Sequence, residues 1–203
     1  MLVAVPLAAC RRRRVPPQHP RVAAGATVLA LGDSITFGTG APPASSYPSL
    51  LAELTGWSVI NAGVPGDTSA QALARLPALL DEHRPAMVLV SIGGNDFLRR
   101  LSDADTRANI ERIVAAVRAG GALPLLIGVP RPTLAGALTG SLGDDPLFAE
   151  IAAAQGLPLA AGGWSSVLAD ERLKSDRIHA NAAGYHAFAT ALHRRLVELG
   201  IAP

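Results

Sequence analysis

An α/β sandwich built on a parallel sheet is the fold class this chain predicts, on two observations. Short aliphatic runs alternate along the sequence with segments of helical spacing, the pattern of strands joined by right-handed crossovers. The runs themselves, such as Met87-Val88-Leu89-Val90, are apolar without alternation, which suits strands covered by helices on both faces. Strands are expected at Thr27–Leu31, Trp57–Ala62, Ala86–Ile92, Leu123–Val129 and, weakly, Leu157–Ala161. Helices are expected over 45–55, 69–82, 103–119, 145–155 and 181–199. The last is the clearest: Tyr185, Phe188, Ala189, Leu192, Leu196 and Leu199 keep helical spacing. Asn181 can cap its start, and Gly200 closes it.

The chain has 203 residues, of which 49% are apolar and only 4% aromatic. That is enough for one domain with a full core packed largely from small and branched aliphatics. The net charge of +2 is unevenly placed. Residues 1–21 hold five arginines and no acid, leaving 13 basic against 16 acidic residues in the remainder, a formal −3. A basic groove for nucleic acid is therefore not expected in the domain. A single cysteine, Cys10, excludes an intrachain disulfide or a cysteine-built zinc site. No apolar run reaches the roughly 18–20 residues that span a bilayer.

Residues 1–24 read as a segment apart from a domain over 25–203. Leu7-Ala8-Ala9-Cys10 resembles the lipobox at which bacterial lipoproteins are cleaved and lipidated, with small residues before the cut. A lipid anchor on Cys10 would attach the protein to a membrane of the cell envelope or periplasm. The apolar stretch Leu2–Ala9 is short for a signal and lacks a preceding basic residue; the other reading is a plain tail on a cytoplasmic protein. Arg11 to Ala24, with Pro16, Pro17 and Pro20, suits a tether rather than a helix or central strand.

In open parallel sheets, function gathers at the carboxyl ends of the strands. There this chain places Gly32-Asp33-Ser34, the stretch Asn61 to Thr68, Gly93-Gly94-Asn95-Asp96, and Pro130 to Thr133; Asp176 and His179 precede the last helix. Ser34, between a strand end and a helix start, would project its hydroxyl and backbone N–H from the sheet edge. Taken alone it suits an N-cap better than a nucleophile. Asp176 and His179 change that balance. A spacing of three lets one turn of chain bring a carboxylate to an imidazole nitrogen, fixing the tautomer and steadying the imidazolium formed on proton transfer. Alone, that pair equally suits a surface cap. His19 lies in the tail, His83 ends a helix, and His186 and His193 share the last helix. Asn95 could supply a side-chain amide to an oxyanion and Gly66 an unhindered N–H, although both segments also suit ordinary turns.

Together the four separated motifs, Gly-Asp-Ser, Gly-Asp-Thr, Gly-Gly-Asn-Asp and Asp-x-x-His, resemble the SGNH, or GDSL, hydrolases over residues 27–200. The closest resemblance is to the bacterial acyl-CoA thioesterase, lysophospholipase and arylesterase group. It rests on Gly66-Asp67-Thr68-Ser69, Ala74-Arg75-Leu76-Pro77-Ala78-Leu79-Leu80 and Gly93-Gly94-Asn95-Asp96. The resemblance implies a three-layer α/β/α sandwich with a flavodoxin-like five-stranded parallel sheet. It implies Ser34 as nucleophile, His179 as base and Asp176 as its orienter. Ser34, Gly66 and Asn95 become the oxyanion donors, and no metal or cofactor is needed. A small-molecule acyl ester or thioester is the implied substrate, met by Phe97, Leu98, Leu101 and Pro132 in the loops after Asn95 and after the fourth strand. Phe97 departs from the small residue common at its position and would narrow the pocket toward short acyl chains or aryl esters. A carbohydrate O-acetylesterase on the same scaffold and a non-catalytic envelope binding protein are the rivals. A flavin- or nucleotide-binding protein is disfavoured by Asp33, which sets an acid where a phosphate would lie.

Overall fold

A computed structural model describes residues 19–131 and 142–202. Cys10, most of the expected tether and Pro132 lie outside them. Five strands, β1 (Thr27–Gly32), β2 (Ser58–Gly63), β3 (Met87–Ser91), β4 (Leu123–Ile127) and β5 (Leu159–Ala160), pair in the order β2-β1-β3-β4-β5, all in parallel. The main helices are α1 (Ser34–Phe37), α2 (Tyr47–Thr55), α3 (Ser69–His83), α4 (Gly94–Leu98), α5 (Asp103–Ala119), α6 (Pro146–Gln155), α7 (Gly163–Ala169) and α8 (Ala182–Glu198).

The unbroken apolar runs feed two cores at once. Val28, Ala30, Met87, Leu89, Leu125 and Ile127 face the layer formed by α2, α7 and α8. Their neighbours Leu29, Leu31, Val88, Val90 and Leu126 face α3, α5 and α6. The period-2 pleat thus divides each run between the layers. The few aromatics are concentrated on the first face. Trp164 stacks on Phe188 with ring centres 3.6 Å apart, Tyr47 and Tyr185 meet that pair edge-on, and the Trp164 indole N–H donates to Ser91 Oγ at 3.2 Å. Val22, placed in the tether by the sequence, is buried in this core, and its N–H donates to the Ile201 carbonyl at 2.9 Å. The folded unit therefore starts before residue 25, because this apolar side chain finds a seat beside the chain's other end.

The strand order reverses around β1, with β2 on one side and β3 on the other. In open parallel sheets, ligands bind beyond the carboxyl ends of the strands at such a switch point, here those of β1 and β3. The chain leaves β1 through Gly32 into Asp33-Ser34, and leaves β3 toward Gly94-Asn95. Gly32 is required by close approach: a Cβ there would stand 2.0 Å from Thr36 Oγ1 and 2.6 Å from the Ser91 carbonyl oxygen.

Candidate active site

Ser34 is the first residue of α1. The N-cap is Asp33, whose Oδ1 accepts from the Ile35 N–H at 3.1 Å. The cap that the sequence would have given to Ser34 falls one residue earlier, because the carboxylate already satisfies the free N–H of the first turn. The serine hydroxyl is thereby left for other partners.

His179 Nε2 lies 3.0 Å from Ser34 Oγ, and His179 Nδ1 lies 2.7 Å from Asp176 Oδ2. The spacing of three does more than join the two side chains. Asp176 Oδ1 also accepts from the backbone N–H groups of Ile178, at 2.8 Å, and His179, at 2.9 Å. One carboxylate therefore holds His179 by both its ring and its backbone. Desolvation pushes the Asp176 carboxyl up, but its bonds from the His179 ring and these two N–H groups outweigh it and hold the group below its ordinary range. The loop is closed by Asn181, whose Oδ1 caps α8 through the Gly184 N–H at 3.0 Å while its amide donates to the Arg172 and Lys174 carbonyls.

Gly66 sits in the turn Val64-Pro65-Gly66-Asp67, closed by the Asp67 N–H to the Val64 carbonyl at 3.1 Å. Pro at the second position and φ +85° at Gly66 are the marks of a type II turn. The Gly66 carbonyl accepts from Arg99 Nη2 at 2.8 Å. Asn95 is joined to both neighbouring loops: its Nδ2 donates to the Asp67 carbonyl at 3.0 Å and toward Asp33 Oδ2 at 3.4 Å. Behind it Asp96 is buried and accepts from the Ser69 N–H and Oγ at 2.8 and 2.6 Å. This long-range pairing of the Asn95 turn with the start of α3 had no local signal in the sequence.

Asp33 is buried beside this network. Burial pushes its carboxyl up to about 7, against the Ile35 N–H and the nearby His179, with Asp67 and Asp96 adding to the rise. An acid directly after a strand and directly before a helix was the available signal for its cap.

The expected substrate-facing residues part company. Leu98 and Leu101 are exposed. Phe97 instead turns into the core, edge-on to Phe148, with the Arg131 guanidinium 4.1 Å over its ring. Its ring is packed between α4 and α6. Beside Leu98 and Leu101, three other large apolar side chains stand 40–53% exposed close to site residues: Phe37, Val64 and Ile178. Among the described residues, no group of three His, Cys, Asp or Glu side chains could hold a metal ion.

A hydroxyl, an imidazole and a carboxylate in line can take the proton from serine as it attacks an acyl carbon. The GDSL-like lipase/acylhydrolase family model matches residues 30–187. The chain belongs to this family. Thioesterase 1/protease 1/lysophospholipase L1 of Escherichia coli is 44% identical over 116 residues, 55% of each chain. Esterase TesA of Pseudomonas aeruginosa is 41% identical over 115 residues, 54% of this chain and 57% of the relative. The chain thus spans about half the length of these relatives in the matched segments. Among solved structures of GDSL-family and related folds, TesA superposes with a TM-score of 0.76 at 31% identity, covering 85% of this chain and 99% of that one. The SGNH-hydrolase family esterase AlinE4 gives 0.65 at 27% identity, covering 87% and 97%.

An expected result tests the Asn95 arrangement. Its shorter bond, to the Asp67 carbonyl, fixes the amide; its longer one, toward Asp33, is the one an oxyanion could replace. Asn95→Ala should lower kcat about 100- to 1,000-fold with KM little changed, read from steady-state ester hydrolysis.

Proposed function

We propose that the chain hydrolyses carboxylic esters or thioesters of small acyl compounds through an acyl-enzyme on Ser34. The observation that carries this reading is the unbroken line Ser34 Oγ, His179, Asp176, with separations of 3.0 and 2.7 Å. Ser34 attacks the carbonyl carbon and gives its proton to His179 Nε2. The resulting oxyanion is held by the Ser34 and Gly66 N–H groups and the Asn95 amide. On collapse, the leaving alcohol or thiol takes the proton from His179. Water then attacks the acyl-enzyme with His179 as base, and Ser34 is restored as the acid leaves.

The names of the relatives support an ester or thioester substrate: a thioesterase and lysophospholipase, an esterase, and the arylesterase of Vibrio mimicus, which is 36% identical over 110 residues. The apolar side chains at the site support an acyl or aryl group over a sugar. In this reading Leu98 and Leu101 meet the acyl chain, and Phe97 acts on it only by supporting α4.

A fluorophosphonate probe, read by intact mass and peptide mapping, should add one group per chain, at Ser34. The same protein should cleave p-nitrophenyl esters and acyl-CoA. Labelling at another residue, or no hydrolysis across both panels, would overturn the reading.

A further inference from the structure

We propose that Arg75 is a positioning residue that sets the spacing of the three oxyanion donors. The inference rests on the acyl-transfer reading of the site above.

Arg75 lies on α3 and touches two of the loops that carry the donors. Its Nε donates to Asp67 Oδ2 at 2.7 Å, and its Nη2 donates to the Gly32 carbonyl at 2.9 Å. Gly32 is the last residue of β1, two before Ser34. Asp67 directly follows Gly66 in the turn, and the Asp67 carbonyl accepts from the Asn95 amide at 3.0 Å. One guanidinium therefore connects the Ser34 segment, the Gly66 turn and, through Asp67, the Asn95 side chain. The Gly32 carbonyl also accepts from the Val64 N–H at 3.1 Å. The turn is thus held against β1 at its first residue by the backbone and at its last by Arg75.

The Arg75 side chain is 24% exposed and that of Asp67 only 9%, so removing the cation also leaves a buried carboxylate unpaired and lowers stability. The bond pattern also supplies geometry. A planar guanidinium fork fixes two acceptors at a set separation and angle, which a lysine ammonium on a flexible stem cannot do. Donors aimed at a developing oxyanion tolerate little displacement, since a misplacement of about 1 Å can cost on the order of 100-fold.

The test compares Arg75→Gln and Arg75→Lys in the full chain, each alone and combined with Asn95→Ala, with Ser34→Ala as the control. Hydrolysis of p-nitrophenyl butyrate is followed at a temperature where circular dichroism shows each variant folded. Arg75→Gln should lower kcat about 10- to 100-fold, with KM within about twofold of the parent. Arg75→Lys, which can keep the bond to Asp67 but not the fork, should fall between. In the Asn95→Ala background, where one donor is already gone, Arg75→Gln should cost less than it does in the parent, because the part of its effect that runs through the Asn95 amide is already lost.

An unchanged kcat, a rise in KM alone, or effects that multiply across the two sites would each overturn the proposal. If Arg75→Gln does not fold, Arg75→Lys decides by the same criteria. Full activity in Ser34→Ala would instead overturn the acyl-enzyme reading itself, so the two failures are distinguishable.

Discussion

Ser34→Ala should lower turnover of p-nitrophenyl esters by roughly 10⁴- to 10⁶-fold and leave the fold intact. The size follows from what is lost. Without Oγ there is no atom to carry the acyl group, and His179 has no proton to accept; what remains is whatever the donors and the pocket do for attack by water. The fold should survive because the hydroxyl's bond is to His179, at 3.0 Å in a half-buried site. Losing one such bond costs about 1 kcal/mol, which moves Tm by only about 2–4 °C in a chain of this size. His179→Ala should fall by a similar factor, and the double variant should be hardly worse than either single one. Steady-state rates and thermal melts on the three proteins check this. A Ser34→Ala protein keeping more than about 1% of parental turnover would show that the reaction does not pass through the serine, since removing a triad nucleophile costs far more than 100-fold.

How much of this was legible beforehand depended on how local each signal was. Strand β3 was readable because burial on both faces needs an uninterrupted aliphatic run, and Met87–Val90 is one. Helix α8 was readable because it carries its own cap, Asn181, and a regular apolar face. The Asp176–His179 contact was readable because three residues of chain suffice to make it. By contrast, α1 and α4, of four and five residues, are too short to show a period, and α7 is sealed by Trp164 stacking on Phe188, a partner 24 residues away. The packing of Phe97 had no local signal, because its partners, Phe148 and Arg131, are distant in sequence. Arg75 appeared only as one letter in a resembling stretch; its bonds to Asp67 and Gly32 are visible only once the crossover from β2 to β3 brings α3 against the sheet edge.

Asp33 yields the second large effect, and its sign is fixed by linkage. In the folded chain its carboxyl titrates near 7, against an ordinary value of 3.8, with desolvation the main cause. Between those values the folded state keeps a proton that the unfolded state has released, so stability falls as pH rises from about 4 to about 7. A shift of this size corresponds to about 4 kcal/mol at most. Asp33→Asn removes the titration while its amide oxygen can still accept from the Ile35 N–H. Its –NH₂ would face the Asn95 amide less well than a carboxylate does, but that cost is the same at every pH. The informative quantity is therefore the slope. Urea unfolding at pH 4, 5.5, 7 and 8 should show the stability of Asp33→Asn gaining on the parent by up to about 4 kcal/mol across the series, most of it between pH 4 and 7. The charged groups facing Asp33, namely His179, Asp67 and Asp96, are the same in both proteins. Parallel pH curves for the two proteins would mean that Asp33 ionises in the folded chain as it does in water, and that the carboxylate beside Ser34 carries its full negative charge through catalysis.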